Sequence, residues 1–294
     1  MKKYLALLFL LSSAYGVPVF ANDGIVKTAV RQAHFSAKPA ALRLRSGAVL
    51  VLAQDSGLPL FAKNVDQVMP IASITKLMTA MVVLDSGLPL LESIDIDKSD
   101  VDRRKGSRSK LKVGTMLMRA EMLKLALMAS ENRAAAALAR NFPGGTEAFV
   151  AAMNQKAAEL GMLNSHFEDP TGLTPDNVST AEDLAKMVAA AHTYPLIREY
   201  TTSDSFKIES EDRRRHRLLS YVNSNRLIKS RQWDIGLSKT GYISEAGRCL
   251  VMQAMIADRP VIIVLLDSWG KLSRIADANR IKRWIEADLM RVSG

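Results

Sequence analysis

Apolar residues are arranged in strand-length runs near both ends of the chain and at helical spacing in between. Residues 48–53 are apolar over the length of a strand, and a turn signal at residues 55–57 separates them from a second short apolar run. Runs of this length bounded by turn residues predict a β-hairpin. A second hairpin is predicted near the C-terminus, where residues 249–257 and 261–266 flank the polar residues 258–260.

The central part of the chain predicts helices. From about residue 70 to residue 195 apolar residues recur every three to four positions, and we expect strands to return after Pro195. A closing helix should carry Ile281 and Ile285 on its apolar face. The pattern predicts an α/β (α+β) protein, in which N- and C-terminal strands form one antiparallel sheet with flanking helices. An inserted all-helical lobe over about residues 70–195 would leave a cleft beside the sheet.

The N-terminus has the residue order of a secretory signal peptide. A basic start is followed by an apolar run, and Val19 and Ala21 occupy the −3 and −1 positions of a cleavage site. Because that run is much shorter than the roughly 20 residues of a membrane-spanning helix, we interpret residues 1–21 as a cleaved export signal. Residues 22–43 are expected to form an N-terminal arm, followed by one domain over residues 44–294.

Composition excludes several classes of protein. The 294 residues are 48% hydrophobic and 24% charged, which is typical of a globular domain and not of a disordered, collagen-like or coiled-coil chain. Cys249 is the single cysteine, so an internal disulfide and a cysteine-based zinc site are both excluded. The four histidines lack metal-ligand spacing, and there is no glycine-rich phosphate-binding loop. We therefore expect neither a metal nor a cofactor.

The charge balance first suggests a nucleic-acid partner. Lys and Arg number 40 against 30 Asp and Glu, which gives a formal net charge of +10. However, no basic segment with interleaved aromatic residues accompanies this excess, and much of it is concentrated in residues 103–112 and 213–217. Such runs are most often solvated surface, so we predict no nucleic-acid binding.

A Ser-x-x-Lys pattern can place a nucleophile one helical turn from a base. Such a short pattern arises about once by chance in a chain of this length. It occurs four times here, so the surroundings of each occurrence must show which of them can be functional. The pattern from Ser73 to Lys76 opens an amphipathic run, which places both side chains on one face at a helix N-terminus. The patterns beginning at Ser107 and Ser109 lie in a basic segment expected to be a solvated loop, and that at Ser268 lies in a turn.

Two further short patterns add polar groups to this candidate site. Ser130 and Asn132 form the only Ser-x-Asn pattern, between two predicted helices, where their side chains can project into the cleft. The alternative role for either residue is a helix N-cap. Residues 239–241 are the only Lys-Thr-Gly, a sequence expected about 0.1 times by chance. Their position before the C-terminal hairpin suits an edge strand of the sheet.

Taken in order, the three patterns resemble the active-site motifs of the penicillin-recognising serine enzymes. The resemblance extends to residues 166–173, 179–184 and 223–227, which look like those of the low-molecular-mass DD-peptidases, a group of penicillin-binding proteins. It covers about residues 47–289. It implies a β-lactamase/transpeptidase-like fold, and a periplasmic location for the exported chain.

The resemblance implies catalytic roles for three residues. Ser73 would attack the carbonyl group of a D-Ala residue and form an acyl-enzyme, and a neutral Lys76 would accept its proton. Because a free lysine has a pKa of about 10.4, burial and the nearby cation of Lys239 would have to lower the pKa of Lys76. Ser130 would relay a proton to the leaving amine.

The resemblance also implies contacts with the substrate. Asn132 would hold a substrate amide, while Lys239 would attract the substrate carboxylate and Thr240 would bind it. The backbone N–H group of Tyr242, together with that of the nucleophile, would form the oxyanion hole. Gly241 would allow the substrate to approach the strand closely.

The implied activity is that of a serine D-alanyl-D-alanine endopeptidase that cleaves peptidoglycan cross-links and is acylated by β-lactams. Residues 213–219 and 233–238 look most like those of the endopeptidases. Only 27 residues follow Asp267, too few for the C-terminal β-domain that carboxypeptidases of the family often carry. A D-alanyl-D-alanine carboxypeptidase is the main alternative.

Four other hypotheses are less favoured. A class A β-lactamase would need a Glu-x-x-Leu-Asn segment, which is missing. A non-catalytic sensor of β-lactams or peptidoglycan would not need the full set of serines and lysines. Weak peripheral membrane association of the basic closing helix is conceivable, although its apolar face is better used against the sheet. Attraction of the basic runs to acidic cell-wall peptides is the functional alternative to a solvated surface.

Overall fold

A computed structural model of the protein describes residues 42–212 and 215–292. The predicted signal peptide, and all but the end of the predicted N-terminal arm, lie outside the described residues. The strands are β1 (Ser46–Ala53), β2 (Pro59–Lys63), β3 (Met69–Pro70), β4 (Ser93–Asp95), β5 (Met116–Met118), β6 (Val178–Ser179), β7 (Ser205–Asp212), β8 (Arg215–Val222), β9 (Asp234–Ile243), β10 (Gly247–Ile256) and β11 (Arg259–Ser268).

The helices occupy most of the chain between β3 and β7, and one more helix follows the last strand. They are α1 (Lys76–Asp85), α2 (Arg119–Met128), α3 (Asn132–Arg140), α4 (Gly145–Glu159), α5 (Ala181–Ala191), α6 (Pro195–Thr202) and α7 (Ser273–Val292). The helix content of this segment confirms the prediction from apolar spacing. That it forms a separate lobe over about residues 70–195 stays a prediction.

A five-stranded antiparallel sheet forms the framework of the molecule. Its strand order is β2-β1-β11-β10-β9, so strands from the two ends of the chain share one sheet, as predicted. In the register of the central pair, Val49 lies opposite Leu265 and Val51 opposite Ile263. The order leaves β9 as an edge strand, which exposes one side of its backbone to a ligand. The mixed α/β fold class is therefore confirmed.

Both predicted hairpins form, and the second has a tighter turn than expected. Its two turn residues are Ala257 and Asp258, which have φ values of 50° and 59°. Two consecutive left-handed residues match the twist of the strands that they connect, which explains the short turn. Pro260 consequently lies within β11, opposite Met255, and not in the turn.

Strands return after Pro195, as expected, but one more helix comes before them. Pro195 is the first residue of α6. Proline suits this position because its fixed φ angle is that of a helix, and because the N–H group that it lacks would have no partner in the first turn. The strands return at Ser205, with the two-stranded hairpin of β7 and β8.

Helices cover both faces of the sheet. Alternate residues of β10 point to opposite faces: Cys249 and Val251 belong to the core shared with α1, α2 and α5, while Leu250 belongs to a second core beneath α7. Ile281 and Ile285 are buried in this second core, which confirms that the apolar face of α7 packs on the sheet. Within the described part of the chain, no helix is both long and apolar enough to cross a membrane.

Cys249 has a structural position and not a chemical one. Its side chain is fully buried in the core strand β10, as predicted, and burial raises the pKa of its thiol to about 11. A thiol with this pKa is protonated at neutral pH and is therefore a poor nucleophile.

Candidate active site

The start of α1 brings Ser73 and Lys76 together. A 3₁₀ turn formed by residues 72–75 leads directly into α1, so Ser73 lies at the predicted helix N-terminus and Lys76 is the first α-helical residue. Lys76 Nζ lies 2.8 Å from Ser73 Oγ. The turn begins at Ala72, which has a φ of 49°, an uncommon conformation for a residue other than glycine.

Lys76 is held by three hydrogen-bond partners from three segments of the chain. Besides Ser73 Oγ, its Nζ atom contacts Asn132 Oδ1 at 2.7 Å and the carbonyl oxygen of Thr171 at 2.6 Å. A neutral amine has two N–H donors and one lone pair. Because the amide and carbonyl oxygens can only accept, a neutral Lys76 directs its lone pair at the Ser73 hydroxyl. The arrangement is that of a base positioned to remove a proton from Ser73.

Burial makes this neutral form accessible near neutral pH. Lys76 is fully buried, and the loss of hydration lowers the pKa of its amine to about 7. The carboxylates of Asp169 and Glu131 act in the opposite direction and raise this pKa, but burial outweighs them. Burial is therefore the cause that lowers this pKa, and not the cation that we expected Lys239 to contribute.

The Lys-Thr-Gly residues lie on the edge strand β9, as predicted, and face the Ser-x-Asn turn. Lys239 Nζ donates to Ser130 Oγ at 2.8 Å, and Thr240 Oγ1 donates to Ser224 Oγ at the same distance. The pKa of Lys239 is lowered far below its usual value by burial first, and then by the positive charges of Lys76 and Arg274. Burial therefore disfavours the charged form of Lys239, and no carboxylate among the described residues offsets this. A substrate carboxylate would stabilise that charged form, so the position is suited to binding one.

Ser130 and Asn132 lie at the turn between α2 and α3, as predicted, but neither of them caps the helix. The N-cap of α3 is Glu131, whose side chain accepts the backbone N–H of Arg133. Asn132 is the first residue of the helix, which directs its side chain toward Lys76. Ser130 has a φ of 61°, another left-handed conformation at a residue that faces the site.

Gly241 allows β9 to pack against the turn that carries the nucleophile. A Cβ atom at this position would lie 2.9 Å from the carbonyl oxygen of Ile71 and 3.1 Å from the backbone nitrogen of Ser73. The backbone of residues 241–242 is therefore close to the N–H group of Ser73, as an oxyanion hole requires. The Tyr242 side chain points away from the core, and 56% of its surface is exposed.

The expectation that the basic segment 103–112 is only a solvated loop is wrong. Ser107 Oγ accepts a hydrogen bond of 3.0 Å from Asn132 Nδ2, and Lys105 forms an ion pair with Glu245 in the turn between β9 and β10. The segment therefore extends from the helical part of the molecule to the edge of the sheet and forms a wall of the cleft. The second basic run, residues 213–217, has side chains outside the described part of the structure.

Two residues at the site were not predicted from the sequence. Ser224 belongs to the family-like stretch 223–227, which was the only available signal for it. Arg274 is one of the basic residues of the closing helix, and its Nη1 atom donates to the carbonyl oxygens of Gly241 and Cys249 at 2.8 and 3.0 Å. Only the packing of α7 on the sheet brings Arg274 beneath β9, and no local pattern shows this contact.

Gly172 fixes the position of the carbonyl group that holds Lys76. It has a φ of +78°, and a Cβ atom there would lie 1.9 Å from the carbonyl oxygen of Ala72. We therefore expect Gly172→Ala to lower the free energy of unfolding by about 3 kcal/mol or more, since both the backbone conformation and the space forbid a side chain. Urea unfolding measures this loss, and a less reactive Ser73 should accompany it because Ala72 directly precedes that serine.

Gly87 provides the matched control for this substitution. It has a similar φ of +67°, but no atom would lie within 4 Å of an added Cβ atom. Gly87→Ala should therefore lose only about 1 kcal/mol, the cost of the left-handed backbone. Equal losses for the two variants would contradict the close packing of Gly172 against Ala72.

The chemistry available at this site is nucleophilic. Across the described residues, no group of three or more His, Cys, Asp or Glu side chains is arranged to hold a metal ion. The site instead combines a serine hydroxyl with a buried lysine as its base, a second lysine that contacts a second serine, and a glycine that brings an edge strand next to the nucleophile. Such a set of groups is suited to acyl transfer through a serine ester.

Comparisons with known proteins agree with this chemistry. The family model Peptidase S11, described as D-alanyl-D-alanine carboxypeptidase, matches residues 33–270. A D-alanyl-D-alanine endopeptidase of Pseudomonas aeruginosa is 49% identical over 248 residues, which cover 84% of this chain and 79% of the relative. A D-alanyl-D-alanine endopeptidase of Escherichia coli is 43% identical over 287 residues, which cover 97% of this chain and 90% of the relative.

Solved structures show the same fold. The crystal structure of the Streptomyces K15 DD-transpeptidase superposes with a TM-score of 0.78 at 28% sequence identity, covering 83% of this chain and 98% of the other. The expected β-lactamase/transpeptidase-like fold is thereby confirmed. With the family model matching most of its length and two relatives above 40% identity, the chain belongs to the Peptidase S11 family of serine DD-peptidases.

Proposed function

We propose that this protein is a D-alanyl-D-alanine endopeptidase, which cleaves the DD-cross-links of peptidoglycan through an acyl-enzyme on Ser73. The observation that carries the proposal is the contact of 2.8 Å between Ser73 Oγ and the fully buried amine of Lys76. Membership of the family supports a peptidoglycan peptide as the substrate and β-lactams as acylating inhibitors. The names of two relatives that match most of this chain support the endopeptidase activity.

In the acylation step, Lys76 takes the proton of the Ser73 hydroxyl while Oγ attacks the carbonyl carbon of D-Ala. The negative charge that develops on the carbonyl oxygen is stabilised by the backbone N–H groups of Ser73 and Tyr242. When the tetrahedral intermediate collapses, the C–N bond breaks. Ser130 delivers a proton to the leaving amine and can be reprotonated by Lys239, whose Nζ atom donates a hydrogen bond to its Oγ atom.

The proposed substrate contacts use polar groups on either side of Ser73. Lys239 and Thr240 bind the carboxylate on the leaving-group side of the scissile bond, and Asn132 binds an amide on the acyl side. Water then attacks the ester carbonyl, the bond to Ser73 Oγ breaks, and Oγ recovers a proton. The cycle consumes one water molecule and releases two peptides. With a β-lactam, the C–N bond of the ring breaks and the opened molecule stays on Ser73 as an ester, which water hydrolyses slowly.

A D-alanyl-D-alanine carboxypeptidase is the second candidate, favoured by the description of the matching family model. The two activities use the same catalytic groups and differ in the leaving group, so substrates must separate them. The purified protein should be incubated with cross-linked dimeric muropeptides and, separately, with pentapeptide monomers. The proposal predicts that dimers are split into monomers while the terminal D-Ala of the pentapeptide is retained. Release of free D-Ala without splitting of dimers would establish the carboxypeptidase instead.

The proposed location is the periplasm. The basic, apolar and small-residue order of residues 1–21 supports export by a cleaved signal peptide. Peptidoglycan substrates are found outside the cytoplasmic membrane, which is consistent with export. Fractionation of cells that produce the full chain, with N-terminal sequencing of the mature protein, tests this proposal; a mature protein that retains residue 1 would contradict it.

A further inference from the structure

A cavity of about 640 Å³ opens next to the catalytic groups. Asn132 and Thr171, both hydrogen-bonded to Lys76, form part of its wall, so the cavity begins one side chain away from the reacting atoms. The described residues that line it include none from β9, where Lys239 and Thr240 lie. The cavity is therefore on the acyl side of the scissile bond, away from the leaving-group carboxylate.

The acidic residues of the cavity are occupied by contacts within the protein. Asp100 forms an ion pair with Arg140, with 3.1 Å between its Oδ2 and Nη2 of the arginine. The Asp102 carboxylate accepts backbone N–H groups of Arg104, Lys105 and Ser107.

The third carboxylate is engaged in the same way. Asp169 accepts the N–H groups of Thr171, Gly172 and Thr174, at distances of 2.5 to 2.9 Å, and also the hydroxyl group of Thr171. Each of the three carboxylates has a structural role, so none of them is available to bind a cationic ligand.

Three of the basic residues of the cavity, unlike Arg140, have no carboxylate partner in the part of the chain that the structure describes. Lys98, Arg103 and Arg104 line it and are exposed, and none of them has an acidic partner among the described residues. Apolar groups form other parts of the wall, including Val101 and Leu173. The lining has four basic residues against three acidic ones, and three of the basic side chains have no acidic partner within the described ranges. Together with the apolar contacts, these free cations suit an aliphatic chain that ends in a carboxylate.

We propose that this cavity binds an anionic side chain of the acyl-donor peptide, carried by the residue that precedes D-Ala, with Arg103 and Arg104 as the specificity-determining cations. The inference rests on the proposed acyl-enzyme mechanism, because it takes the acyl side of the bond to lie at Asn132. The arginines attract the side-chain carboxylate, and the aliphatic part of the side chain lies against Val101 and Leu173.

A pair of penicillins tests the inference. Both carry the same nucleus and a linear acyl side chain, which ends in a carboxylate in one and in the corresponding carboxamide in the other. The second-order rate constant for acylation of the full-length mature protein is measured for each. We expect the carboxylate penicillin to react about five- to tenfold faster, which is the gain expected from contacts between one carboxylate and two partly solvated arginines. Added salt screens these contacts and should decrease the preference.

Variants assign the preference to the two arginines. Arg103→Gln combined with Arg104→Gln should reduce the ratio of the two rate constants to about 1 to 2, while the rate constant for the carboxamide stays unchanged. The control is Arg231→Gln combined with Arg283→Gln, which removes two charges from exposed arginines that do not line the cavity. This control should retain the wild-type ratio.

The outcomes separate this inference from the proposed function. Equal rate constants for the two penicillins in the wild-type protein, or a preference that survives the Arg103 and Arg104 substitutions, would overturn the role of the cavity and leave the acyl-enzyme mechanism standing. A wild-type protein that neither penicillin labels would instead overturn the proposed function. A preference lost equally in the Arg231 and Arg283 control would show that net charge and not the cavity causes it, and would also overturn the inference.

Discussion

Ser73→Ala should abolish covalent labelling by β-lactams and reduce peptide cleavage by about 10⁴- to 10⁶-fold, the loss typical of removing a catalytic serine. The change removes only Oγ, which contacts Lys76 Nζ, so the packing of the buried turn around it is retained. Intact-protein mass spectrometry after incubation with a penicillin measures the labelling. Chromatography of muropeptide products measures the cleavage.

Ser268→Ala is the control for this variant, because Ser268 begins another of the four Ser-x-x-Lys patterns. Its hydroxyl bonds to that of Ser46 at 2.7 Å, in a buried position at the end of β11. This control should be labelled like the wild-type protein. A penicillin adduct that persists in Ser73→Ala at the wild-type rate would show that another residue is the nucleophile.

Lys76→Met should slow acylation by about 10²- to 10⁴-fold while Ser73 remains available, since the variant lacks the general base. Methionine has a similar length and is accommodated by the apolar surroundings of α1. The acceptor oxygens of Asn132 and Thr171 lose their common donor, however, so a moderate loss of stability is expected as well.

The rate constant for acylation and the midpoint of urea unfolding, measured on the same preparation, separate the two effects. Loss of a general base slows a reaction by far more than about threefold. If the variant stays folded but its rate constant for acylation is within about threefold of the wild-type value, Lys76 has a structural role only. A folded variant that is acylated slowly, and whose slow rate no longer changes with pH near neutrality, agrees with the role of a base.

The sequence predicted the parts of the molecule that depend on local pattern. Hydrophobic spacing was sufficient for the hairpins and for the helical segment, because strand and helix periods differ and both ends of the chain have clear turn residues. The three short patterns were sufficient to select Ser73, Lys76, Ser130, Asn132 and residues 239–241. The structure places all of them around one cleft.

Contacts between distant segments could not be predicted in this way. Arg274 reaches β9 only because α7 packs on the sheet, and Ser107 reaches Asn132 only because the basic segment crosses the cleft. The same limit applies to the carbonyl group of Thr171, since a backbone acceptor has no signature in the sequence. The start of α6 at Pro195 was missed for a different reason, because a proline is compatible both with the end of a helical segment and with the first turn of a helix.

Glu131 illustrates how the site combines structural and electrostatic roles. Its carboxylate caps α3 and is almost fully buried, and burial raises its pKa. Its negative charge, like that of Asp169, raises the pKa of Lys76 and so moderates the effect of burial. The amine of Lys76 is thereby balanced near neutral pH, where it can both accept a proton and return it.

The pH dependence of acylation tests the central claim, that a neutral Lys76 removes the proton of Ser73. The second-order rate constant for acylation by a penicillin should be measured from pH 5 to pH 9 for the wild-type protein and for Lys76→Met. The base acts only when it is deprotonated, so the wild-type rate constant should rise with pH. The midpoint of this rise should lie at the pKa of Lys76, which burial lowers to about 7, and the variant should lack the rise. A wild-type rate constant that does not change across this range, or that rises only toward the pKa of a solvated lysine at about 10.4, would contradict it.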